Sequence, residues 1–182
     1  MFELEFIGRG GQGAKTAAEI IARASLKKGN FIQSFPDYGP ERKGAPVRAF
    51  TRISKNEIRG CSSQANPDII IILDPTLLSL NGSFFNLGKV LLVNTDESTD
   101  SIRSRLNYKG ELHTVDATRL AFEILKSQIT NTAMLGALAK VSDIISIDDI
   151  KEEVKEEFKR KLDENTLNNN MLLIDKAYSE AK

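Results

Sequence analysis

The chain has 182 residues, 41% hydrophobic and 27% charged, with a formal net charge of zero. That balance suits a globular fold with a sizeable core, and no apolar run approaches the roughly 18 to 20 residues needed to cross a bilayer. The single cysteine, Cys61, excludes an internal disulfide and any cysteine-built zinc or iron–sulfur site within the chain.

In chain order, "MFELEF" carries acids and no basic n-region, so it reads as a first strand rather than a signal peptide, and the expectation is a cytoplasmic protein. A glycine run follows, then a helix from about Gln12 to Lys28 with Ala14, Ala17, Ile21 and Ala24 at helical spacing. "FIQSF" is a second strand. "PDYGPERKGAP" packs two glycines and three prolines into a loop. "VRAFTRIS" alternates as a strand should, and a turn at Lys55-Asn56 into "EIRG" suggests an antiparallel element from Val47 to Gly60.

"DIIIIL" and "KVLLVN" are continuous apolar runs bounded by turn residues, as expected of parallel strands covered on both faces. "ELHTVDA" leads from a short strand into a helix near Thr118 to Ser127. "NTAMLGALAK" is a small-residue helix. Ser146 with Asp149 three residues on signals the start of the charged helix "SIDDIKEEVKEEFKRK". A last helix begins near Thr166. The expected fold is α/β: three layers, a mostly parallel sheet with helices on both faces, an antiparallel hairpin element, and a Rossmann-like glycine loop after strand 1.

Charge is unevenly distributed. Between Gly8 and Gly60 there are 11 basic residues against four acidic ones, so the segment is +7 and the remainder −7. The same segment holds eight of the 12 glycines. Backbone specialisation and positive charge therefore coincide, which favours an anionic ligand or an acidic partner surface.

Gly8, Gly10 and Gly13 match the pattern G-x-G-x-x-G between a strand and a helix. Glycines permit the tight turn, and a helix N-terminus offers unpaired N–H groups to a phosphate. A dinucleotide site also wants an acid about 20 residues on, at the end of the second strand. That strand ends "IQSFP", and Asp37 beyond Pro36 is a poor candidate. The Walker A pattern is missed by one position, because Ala14 displaces Lys15 and Thr16 by one residue, about 100° of helix. An independent NAD or FAD oxidoreductase, and a structural docking module with an empty loop, stay open on these residues alone.

"GRGGQGAKTAAEI" followed by "QSFPDYGPERKGAPVRAFTRIS" resembles the paired motifs of the gamma subunits of 2-oxoacid:ferredoxin oxidoreductases, most closely the pyruvate and 2-oxoisovalerate types. The likeness spans the chain and is sharpest at residues 7 to 54. It implies one gamma-type domain over residues 1–182, in a heteromeric enzyme with alpha, beta and delta-type subunits. That enzyme decarboxylates a 2-oxoacid oxidatively, most readily pyruvate, forms an acyl-CoA and reduces ferredoxin.

Thiamine diphosphate, Mg and the iron–sulfur clusters would belong to the partner subunits, consistent with a chain that has one cysteine. Coenzyme A is the ligand the resemblance assigns to this chain. The N–H groups of Gly10, Gly11, Gln12 and Gly13 would meet its pyrophosphate, with Arg9 and Lys15 beside them. Arg42 and Lys43 would take a further phosphate or an acidic partner. No catalytic residue, metal ligand, nucleic-acid partner or membrane contact is expected.

The remaining features have plainer readings. Arg48 and Arg52 share a strand face and could line a cleft, meet another subunit, or lie on a solvated edge strand. His113 and Cys61 read as structural or inert. "KEEVKEEFKRK" reads as a solvated helix face. Asp74, Asn94 and Thr95 end buried strands, where open α/β sheets hold ligands.

Overall fold

The computed structural model describes residues 1–38, 44–60, 67–80 and 88–182. Arg42, Lys43 and Cys61 lie outside the described residues.

Six strands form one sheet: β1 (Phe2–Arg9), β2 (Phe31–Tyr38), β3 (Pro46–Ser54), β4 (Ile69–Ile72), β5 (Val90–Asn94) and β6 (Glu111–Val115). Their spatial order is β2-β3-β1-β4-β5-β6. β1, β4, β5 and β6 are mutually parallel, while β3 runs antiparallel to both β1 and β2. The helices are α1 (Ala14–Lys27), α2 (Thr99–Leu106), α3 (Ala117–Leu125), α4 (Asn131–Val141), α5 (Ile147–Phe158) and α6 (Glu164–Glu180), with a 3-10 helix at Pro75–Leu80.

The expected α/β sheet is present, with an antiparallel hairpin element formed by β2 and β3. β3 pairs with β2 and β1, and Glu57 to Gly60 form no strand. β2 also runs three residues past "FIQSF", through Pro36. A proline lacks the N–H for a ladder, yet β2 is at the sheet edge, where one side needs no donor. β3 is interior, so Arg48 and Arg52 are not on an edge strand. They pair within the chain: Arg48 with Glu5 and Asp37, Arg52 with Glu3 and Gln33.

The two covering layers are unequal. α1 and α3 to α6 bury the large core around Leu4, Phe6, Ile69, Ile71 and Leu92. The opposite face carries a smaller core of Ile7, Ile70, Ile72, Leu91 and Val93 under the 3-10 helix and α2. Consecutive strand residues thus feed opposite cores, which is why the apolar runs show no alternation. α2 left little trace in the sequence, because its one buried residue is Ile102. The Ser98 side chain caps it, accepting from the Ser101 N–H. His113 is structural, bonded to Glu111 (2.7 Å) and to the Lys182 carbonyl (3.0 Å).

Candidate functional site

The sheet changes connection between β1 and β4, since α1 covers one face while the segment after β4 covers the other. Open α/β sheets bind ligands at the carboxyl ends of such strands. The glycine loop leaves β1 at this point. Its turn is closed by the Gln12 N–H donating to the Arg9 carbonyl (3.0 Å) and by the Arg9 N–H donating to Gln12 Oε1 (2.7 Å). Gly11 (φ 99°) and Gly13 (φ 83°) adopt left-handed conformations that side chains resist. Gly13 is also the N-cap of α1, and no side chain caps that first turn. The two glycines differ in surroundings. A Cβ on Gly11 would meet nothing, whereas one on Gly13 would lie 2.4 Å from Asn131 Nδ2.

Beside the loop, Asp74 gathers four groups. Its Oδ2 accepts from Arg9 Nε (3.1 Å) and Gln12 Nε2 (3.0 Å), and its Oδ1 from the Thr76 N–H (3.0 Å) and hydroxyl (2.6 Å). Burial works against the carboxylate, but the bonds from Thr76 and Gln12 and the Arg9 charge hold the Asp74 pKa below its ordinary value. Arg9 also donates to Thr76 Oγ1 (2.8 Å) and to the Gly44 carbonyl (3.1 Å). Arg9 and Gln12 are therefore turned towards Asp74, and they hold the loop in shape. Lys15 sits on the exposed side of α1 with Glu19 at 3.6 Å, a pairing weak enough to exchange for a ligand.

The two sequence motifs meet here. Gly44 receives Arg9, the Gly10 N–H donates to the Ala45 carbonyl (2.9 Å), and Arg9 registers with Pro46 across the β1–β3 ladder. The described end of the "GPERKGAP" loop thus lies against the glycine loop.

On its other side the loop opens onto a cavity of about 330 Å³. Gly11, Gly13 and Thr16 form one wall, and the ends of α3, α4, α5 and α6 the rest. A second cleft of about 530 Å³ sits at the ends of β5 and β6 and includes Asn94 and Thr95. Asn94 is committed to structure there, donating to the Leu73 carbonyl (2.8 Å) and Thr118 Oγ1 (2.9 Å).

Much of the basic block turns out to be paired. Arg23 binds Glu153 and Glu157 (both 2.7 Å), Lys27 binds Glu152 and Glu153, and Lys28 binds Asp149. The acidic side of α5 is therefore packed on α1, which corrects its reading as a solvated face. Across the sheet, Glu5 is 3% exposed with Arg48 Nη1 at 3.5 Å. Burial pushes its pKa up to about 7 against the pull of Arg48.

An open α/β sheet with a glycine loop at its switch point defines a Rossmann-like class. Within it, the family model for pyruvate ferredoxin/flavodoxin oxidoreductase matches residues 3–180. The chain is 46% identical over 167 residues to the pyruvate/ketoisovalerate oxidoreductases common subunit gamma of Thermococcus kodakarensis, covering 90% of each. It is 39% identical over 184 residues to a pyruvate synthase subunit of Thermotoga maritima, covering 100% of this chain and 95% of that one.

The crystal structure of a Thermotoga maritima pyruvate oxidoreductase subunit superimposes with a TM-score of 0.85 at 36% identity, covering 100% and 97% of the two chains. The same fold occurs in a 2-oxoglutarate:ferredoxin oxidoreductase from Magnetococcus marinus (TM-score 0.80, 23% identity), over 98% of this chain and 30% of that one. The chain belongs to the pyruvate ferredoxin/flavodoxin oxidoreductase family, as a gamma-type subunit of an oxidoreductase complex.

Proposed function

We propose that this subunit binds coenzyme A for a complex that converts a 2-oxoacid, most readily pyruvate, to its acyl-CoA and passes the electrons to ferredoxin. In this reading thiamine diphosphate, Mg and the iron–sulfur clusters sit in alpha, beta and delta-type partners, and the gamma chain also helps dock the catalytic subunits. The observation that carries it is the meeting of the two motifs, with Arg9 bonded to Gly44 and Gly10 to Ala45. That contact sets Gly44 and Ala45 against the glycine loop, whose helix α1 starts without a side-chain cap, and N–H groups at a helix start favour a pyrophosphate.

Lys15, Arg42 and Lys43 act as the cations, Gly11 and Gly13 let the phosphate approach, and Arg9 and Gln12 hold the loop through Asp74. The Magnetococcus structure of this fold has coenzyme A bound, which makes that ligand the one to test. The Thermococcus relative is common to the pyruvate and ketoisovalerate enzymes. A subunit shared in this way does not distinguish the two acids, so here too selection between them falls to other subunits.

The test is a coenzyme A titration of the assembled complex at several salt concentrations. Lys15→Ala and Arg42→Ala are expected to weaken binding severalfold at low salt and less at high salt. Unchanged affinity in both variants would remove the assignment.

A further inference from the structure

The face of the sheet opposite α1 carries charge around β1, β2 and β3. In β1 the residues that alternate with Leu4 and Phe6 are Glu3 and Glu5, and the ladders set Arg48 and Arg52 of β3 and Gln33 and Asp37 of β2 beside them. Asp68, just before β4, also reaches this group. It is occupied by the Glu3 N–H (2.9 Å) and by Lys89 Nζ (2.7 Å). Arg52 Nε binds Glu3 at 2.7 Å. Among the described residues, Glu5 and Asp37 then share Arg48.

The two shares are unequal. Arg48 Nη2 donates to Asp37 Oδ2 at 2.5 Å, a short charge-assisted bond. Arg48 Nη1 stands 3.5 Å from Glu5 Oε1, which is enclosed and accepts no hydrogen bond. Exposure runs the other way: the Asp37 side chain is 41% exposed and that of Glu5 4%. An exposed carboxylate that loses its cation is solvated, so such pairs are weak. An enclosed carboxylate has no water to turn to, and once ionised it claims the nearest cation. The geometry is therefore that of a protonated Glu5, and ionisation would draw the guanidinium across. The Arg48 guanidinium lies over the Phe50 ring, 5.3 Å from its centroid, so it can shift between the two acids without leaving that support.

Asp37 and Arg48 are ladder partners that close the segment between β2 and β3. That segment contains Gly44 and Ala45, the contacts of Arg9 and of the Gly10 N–H. We propose that Glu5, Arg48 and Asp37 form a proton-operated latch at the base of the second motif: protonated Glu5 leaves Arg48 with Asp37, and ionised Glu5 draws it away and loosens the end of β2. Burial raises the Glu5 pKa to about 7, so the latch is closed below neutral pH and opens above it. This holds whether or not coenzyme A is the ligand.

The experiment follows hydrogen exchange in the full chain, read as protection factors, which cancel the intrinsic pH dependence of exchange. The reporters are the backbone amides of Asp37 and Arg48, and the Glu5 side-chain carboxyl carbon is titrated in parallel by NMR. In the parent, protection at both amides is expected to fall roughly two- to fivefold from about pH 6 to about pH 8, with the midpoint of the Glu5 titration. Glu5→Gln should hold the high value throughout, because an amide never competes for the guanidinium as a charge. Asp37→Ala should hold the low value throughout, because the latch has lost its catch.

Protection factors in the parent that do not change across this range would overturn the latch. So would a fall that persists in Glu5→Gln or in Asp37→Ala, since the proton would then act elsewhere.

Discussion

At the scale of single residues, two glycines and one glutamate separate effects that the sequence pattern merges. Gly11 and Gly13 both need positive φ, but Gly13 is also pressed by Asn131. Gly11→Ala should cost about 1 kcal/mol from strain alone, and Gly13→Ala roughly twice that or more, read as the shift in chemical-denaturation midpoint. Equal costs would mean that Asn131 gives way freely.

Glu5 titrates in the opposite sense to a salt-bridged surface acid. Its pKa rises from 4.5 to about 7 on folding, so the native state favours the protonated form. Its contribution to stability is full below about pH 4.5 and is lost as pH rises through about 7. Glu5→Gln should therefore match the parent near pH 4.5 and exceed it by pH 8, by an amount of order 2 kcal/mol. A parallel pair of stability–pH curves would show that Glu5 ionises freely in the fold.

The glycine pattern and Lys15 were legible in the sequence as phosphate-loop candidates. The roles of Arg9 and Gln12 were not, because their partner Asp74 lies 62 and more residues away and only the β1–β4 pairing brings it near.

At the scale of elements, α1 and α5 are joined by charge and α4 and α6 by close approach. Glu153 has a nearly buried side chain and is held by Arg23 and Lys27. Arg23→Ala should cost about 2 kcal/mol, with little relief from added salt, because a buried carboxylate loses one of its two cations. A loss below about 0.5 kcal/mol would class the contact with ordinary surface pairs. Gly136, inside α4, would place a Cβ 2.3 Å from the Ile174 carbonyl oxygen of α6. Alanine normally favours a helix by about 1 kcal/mol over glycine. Gly136→Ala is nevertheless expected to lower the melting temperature, since the two backbones must separate; a raised melting temperature would show that they are not in contact.

Element types and order were legible wherever period or apolar runs were strong: α1, β4, β5 and the N-cap of α5. The partner of β3 was not. A strand followed by a turn invites a local hairpin, while the actual partners, β1 and β2, are chosen by burial of Ala49, Thr51 and Ile53 against α1.

At the scale of the whole molecule, the +7 block of the sequence is not a uniformly positive surface. The chain folds its acidic α5 onto the basic end of α1 and sets Glu3, Glu5 and Asp37 against Arg48 and Arg52. Net charge along the sequence counts residues that are neighbours in order, and the fold pairs those that are neighbours in space. Beside the glycine loop, Lys15 keeps an exposed pairing with Glu19 at 3.6 Å. The membership of the family was legible from two motifs, because they meet in space and their residues are tied to each other.

The most direct measurement is the dependence of pyruvate-driven ferredoxin reduction on coenzyme A, in the assembled complex carrying Lys15→Ala together with Arg42→Ala. The expected result is a KM for coenzyme A raised severalfold with the KM for pyruvate unchanged. An unchanged KM for coenzyme A, in a complex that still requires this subunit for assembly, would contradict it.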